Sequence, residues 1–77
     1  MNRVQRTAIY KIIEKLEEIK EEIECLKDEE TEKFENLPEG IQISERGQQM
    51  EAAADSLDSA FYSLEEAVSS LEEAVGV

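Results

Sequence analysis

Apolar residues recur early in the chain at Ile9, Ile12, Leu16, Ile19, Ile23 and Leu26, in alternating steps of three and four. That spacing reads as the a/d seam of a coiled coil, with Ile9, Leu16 and Ile23 at a and Ile12, Ile19 and Leu26 at d. Ala8 and Ile13 widen the stripe at its amino-terminal end. The next seam positions are Glu30 and Lys33, so the apolar row fades before the helix does. A second row runs Met50, Ala54, Leu57, Phe61, Leu64, Val68, Leu71 and Val75 with the same alternation.

Between the rows, "NLPEG" breaks the pattern. Pro38 holds Leu37 out of the α region, and Gly40 permits a turn. Ser44 reads as the N-cap of a second helix, followed by Glu45, where the helix dipole favours an acid. Gly47 and the pair Gln48 and Gln49 make a weak first turn. The spacing therefore predicts one domain over 1–77, with a helix over about 3–35, a loop over 36–43 and a helix over about 44–75.

Two helices of equal length and a short connection predict an all-α antiparallel two-helix hairpin, a coiled coil folded on itself. Residues whose numbers sum to about eighty then lie level, such as Ile19 with Phe61. Lys20 and Lys27 fall on the same edge as Asp58 and Glu65. The other edge of the second helix is Ala53, Ala60, Ala67 and Ala74. A row of methyl groups lets another helix approach closely, so two hairpins are expected to dimerise into a four-helix bundle through these alanines and Ile13.

Composition strengthens the expectation of a partner. A chain of 77 residues buries a thin core, and natural domains of this size lean on disulfides, a metal or oligomerisation. Cys25 is the only cysteine and histidine is absent, which leaves oligomerisation. The lone thiol suits a reducing compartment. Neither a signal peptide nor a membrane span fits the sequence, so a cytoplasmic location is expected.

The net charge is −12. Arg3, Arg6, Lys11 and Lys15 oppose only Glu14 in residues 1–15, whereas residues 16–39 hold eleven acids against three bases. Such a surface repels nucleic acid and anionic membranes and attracts a basic protein face. The outward acids are Glu17, Glu18, Glu21, Glu24, Asp55, Asp58, Glu65, Glu66, Glu72 and Glu73.

Catalytic chemistry is not expected. Glu14, Glu17, Glu18, Glu21 and Glu22 share a helix face, but di-iron bundles also need a Glu-x-x-His pairing. No carboxylate interrupts the apolar seam, where burial would tune it. Cys25 lies at an outer position with only Lys27 near it in sequence. No phosphate-binding or calcium loop is present. The reading is a non-enzyme without metal or cofactor.

The connecting segment "KFENLPEGIQISERG" is richer in apolar residues than an idle linker. Phe34, Leu37, Ile41 and Ile43 read either as a small core closing the hairpin or as a binding tip with Phe34 or Leu37 as anchor and Arg46 as a charged contact.

Phe34, Asn36-Leu37-Pro38-Glu39, Gln42, Ser44-Glu45-Arg46 and "SLEEAVSSLEEAV" together resemble small phage- and prophage-encoded acidic helical-hairpin proteins of Gram-positive bacteria, which have no assigned activity. The resemblance spans about residues 30–75. It implies a phage context, in which small acidic proteins often disable host defence. The function expected is a non-catalytic protein-binding module that inhibits a host defence or nucleic-acid-binding protein through its acidic surface. The alternative is a scaffolding coiled coil that self-assembles or joins phage components.

Overall fold

A computed structural model of the chain describes residues 1–76. The described residues are all-α, with α1 at Arg3–Glu35, a single turn α2 at Glu39–Gln42 and α3 at Glu45–Gly76. Asn2 starts α1 through a reciprocal capping box. The Gln5 backbone N–H donates to Asn2 Oδ1 at 2.8 Å, and the Asn2 N–H donates to Gln5 Oε1 at 3.2 Å. At the other end α1 stops at Glu35, three residues before Pro38.

α3 returns alongside α1 in the opposite direction. Lys20 reaches Glu65 and Lys27 reaches Asp58, each at 3.6 Å, so partner numbers fall on one helix as they rise on the other. The Lys20 ammonium also stands 5.3 Å from the centre of the Phe61 ring. Side chains on each helix tilt toward that helix's own amino terminus, so in an antiparallel pair long side chains lean toward each other. Lys20 therefore meets the ring at its own level and the carboxylate one turn beyond.

The result is a rod of 58 × 15 × 12 Å. Its radius of gyration of 17.4 Å exceeds the about 11.5 Å of a compact domain of this length. The thin section limits burial. Among the described residues, Ala54, Val68 and Val75 are the buried apolar ones, all on α3, and α1 has none.

On α3 the covered residues follow the spacing seen in the sequence, with Met50, Leu57, Phe61, Leu64 and Leu71 half-buried between the three buried ones. On α1 the seam is rotated from the expected one. Its half-buried residues are Ile9, Ile13, Leu16, Lys20, Ile23, Lys27, Glu30, Thr31 and Phe34. The expected d row is open instead, with Ile12 45%, Ile19 44% and Leu26 51% exposed. Lysine stems account for the rotation. The side chain of Lys20 is 15% exposed, because its methylenes lie against α3 while its ammonium reaches Glu17 and Glu65. A lysine scored only as polar hides that apolar stem.

The connection also differs from expectation in which glycine matters. Gly40 lies inside α2, and no described glycine has a positive φ. At Gly47 an added Cβ would overlap the carbonyl oxygen of Gln42 and come within 2.5 Å of that of Ile41. Glycine is needed there because the backbone of α2 rests directly on the first turn of α3.

Candidate functional site

The tip is held by polar contacts that the helix ends require. The last carbonyls of an α-helix lack intrahelical donors. The Gln42 side-chain amide fills this gap for α1, donating to the carbonyls of Phe34 at 3.2 Å and Leu37 at 3.0 Å, with that of Glu35 at 3.4 Å. Ser44 precedes α3. Its hydroxyl donates to the Ile41 carbonyl and accepts from the Gly47 N–H at 3.4 Å. Gln48 donates its side-chain amide to the Ile43 carbonyl at 3.3 Å. Phe34 and Leu37 are half-buried, whereas Arg46 is exposed. The open apolar residues of the tip are Ile41 and Ile43, the latter 77% exposed. Burial thus puts the two proposed anchors inside the end cluster and leaves two isoleucines outside it.

The acidic residues do not form one uniform group. Glu17 and Glu65 are tied to Lys20 at 3.3 and 3.6 Å, and Asp58 to Lys27. Glu18, Glu21, Glu24, Asp55, Glu66, Glu72 and Glu73 are exposed and make no ion pair among the described residues. Burial acts to lower the Lys20 pKa, but the hydrogen bond and charge of Glu17 and those of Glu65 outweigh it and raise the pKa. Lys27 is raised likewise, with burial outweighed by Asp28 and Asp58. Among the described residues, no group of three cysteine or carboxylate side chains is placed to hold a metal ion. Among the described residues, no helix is long and apolar enough to cross a membrane.

The third surface is apolar. Ala53, Ala60 and Ala67 are exposed and Ala74 is half-buried. These alanines stand about 160° around α3 from the Asp58 and Glu65 row. Ile12, Ile19 and Leu26 stand about 100° around α1 from the row containing Lys20 and Lys27, beyond Leu16 and Ile23. Both rows therefore occupy the same side of the rod, away from the interhelical ion pairs. Ile13, named with these alanines, stands seven residues before Lys20 in the same row of α1 and is half-buried. Binary patterning assigned the isoleucine row to the intramolecular seam, and only the covered lysine stems place it outside.

No family model, curated protein or solved structure matches this chain.

Proposed function

We propose that the chain is a non-catalytic protein-binding module, a helical hairpin that lays its acidic surface on a basic face of another protein. In the phage context that the tip sequence suggests, that partner is a host defence or nucleic-acid-binding protein, and binding inhibits it in the host cytoplasm. The observation supporting this is that Glu18, Glu21, Glu24, Asp55, Glu66, Glu72 and Glu73 are exposed and make no ion pair among the described residues, on a chain of net charge −12. Carboxylates spaced along a rigid helix can occupy sites that otherwise take phosphates. Binding of this type weakens as salt rises. The test is affinity capture from host lysate at low and high salt, beside an E66K/E73K variant. Salt-sensitive capture that the variant loses supports the reading, and absence of such a partner rejects it.

A second reading is favoured by the exposed isoleucine and alanine rows. Ile12, Ile19 and Leu26 on α1 and Ala53, Ala60 and Ala67 on α3 suit packing against another hairpin. Two hairpins joined on that side form a homodimeric four-helix bundle, the architecture of a scaffolding coiled coil. This association is insensitive to salt in its apolar part. Light scattering coupled to size exclusion tests it, and a particle of 8.8 kDa at all concentrations would remove it.

A further inference from the structure

We infer that a second copy of this chain covers the open side of α1 in an antiparallel, two-fold arrangement centred on Ile19, with Lys15 of each copy paired to Glu22 of the other. The inference rests on the self-assembly reading and deepens it, by naming the helix, the direction and the register of the interface.

Ile12, Lys15, Ile19, Glu22 and Leu26 follow one another in steps of three and four, so they form one stripe on α1. All five are exposed. Lys15 and Glu22 make no ion pair among the described residues, in contrast to Lys20 and Lys27 on the covered edge. The stripe is therefore a second heptad row, in which Ile12, Ile19 and Leu26 alternate with Lys15 and Glu22, one charge of each sign on either side of Ile19.

Charge selects the occupant and its direction. A parallel α1 from a second copy would set Lys15 against Lys15 and Glu22 against Glu22, which is repulsive. The open row of α3, in which alanines 53, 60, 67 and 74 alternate with serines 56, 63 and 70, offers no charge to either group. An antiparallel α1 gives each an opposite partner twice over. Its two-fold axis at Ile19 also sets Ile12 against Leu26, so apolar and charged positions match in one register. The same operation turns the alanine and serine row of α3 onto itself, where small residues permit close approach.

The chain exposes 5793 Å². A compact monomer of this mass exposes about 4,800 Å². The rod shape thus leaves about 1,000 Å² more surface than a compact fold, enough for the about 800 Å² that one partner covers in a standard interface.

Charge reversal tests the arrangement, with helicity followed by circular dichroism and mass by sedimentation equilibrium. The expected result is that K15E alone and E22K alone each raise the dimer dissociation constant about tenfold or more. An equimolar mixture of the two variants re-forms dimers, because one copy then carries two glutamates and the other two lysines at these positions. The K15E/E22K double variant dimerises like the unmodified chain. If the unmodified chain stays at 8.8 kDa, this inference and the self-assembly reading fall together. If it dimerises but either substitution leaves the dimer unchanged, or the mixture gives no rescue, the interface inferred here is overturned while self-assembly stands. A second measurement needs no change of charge. With Cys25→Ser, Ile19→Cys should give a disulfide-linked dimer on mild oxidation and Ile12→Cys should not, and the reverse result would overturn the two-fold axis at Ile19.

Discussion

Gly47 lies against the carbonyl oxygen of Gln42 with no room for a side chain between them. The contact seats α2 on the first turn of α3 and fixes where the second helix starts. Alanine at 47 would raise helix propensity by about 1 kcal/mol. The overlap it creates is with backbone, which cannot swing aside. Gly47→Ala is therefore expected to destabilise the chain by about 1–3 kcal/mol net, as overpacking does. Thermal unfolding followed at 222 nm checks this, and an unchanged or raised midpoint would refute the contact.

Gln42 presents a different dependence at the same place. Its amide donates to the Phe34 carbonyl, which also accepts from the Leu37 N–H at 3.1 Å, and to the Leu37 carbonyl just beyond α1. Gln42→Ala removes these donors and should cost about 0.5–1.5 kcal/mol. Gln42→Glu should cost more, since a carboxylate would face carbonyl oxygens without a proton to give. Hydrogen exchange of the amides of residues 34–37 should accelerate in both variants, and faster in the second.

The rotated seam can be read by comparing two apolar truncations. Val68 is 4% exposed and packs within the rod, so Val68→Ala should lower stability by about 1–3 kcal/mol at every protein concentration. Ile19 is 44% exposed in the single chain, so Ile19→Ser should show its main effect only where copies associate. Unfolding midpoints measured across a hundredfold dilution separate the two. Equal losses at high dilution would return Ile19 to the intramolecular seam.

Alkaline pH should weaken the edge between the helices. The pKa values of Lys20 and Lys27 are raised above 10.5 in the folded chain, so the folded state holds these protons more tightly than the unfolded state. Their contribution is complete below pH 10.5 and is lost as pH rises through the raised values. The unfolding midpoint should fall in that window, and less steeply in a K20Q/K27Q variant. Parallel curves for the two proteins would exclude these lysines as the cause.

Much of this architecture was legible in the heptads. The spans read from spacing and from Pro38, about 3–35 and 44–75, compare with observed helices at Arg3–Glu35 and Glu45–Gly76. The α3 row from Met50 to Val75 is covered throughout, because its apolar residues have no competing lysine beside them. On α1 the pattern misled, since Ile12 and Ile19 are more apolar than Lys20 by composition, yet Lys20 has both an aromatic face and a carboxylate waiting on α3. Gly47 and Gln42 were illegible for another reason. Their importance comes from a backbone approach and from carbonyls left over at a helix end, neither of which has a periodicity to read.

The section of 15 × 12 Å leaves each layer of the rod touching only the layers above and below it. Cohesion is then summed along the length, as in a zip fastener. One end is stapled by the connecting turn, while at the opposite end no such link joins α1 to α3 among the described residues and Val4 stands 78% exposed. Opening should start from that free end and run toward the staple, so damage near the termini would loosen a few teeth while damage at the turn would release them all.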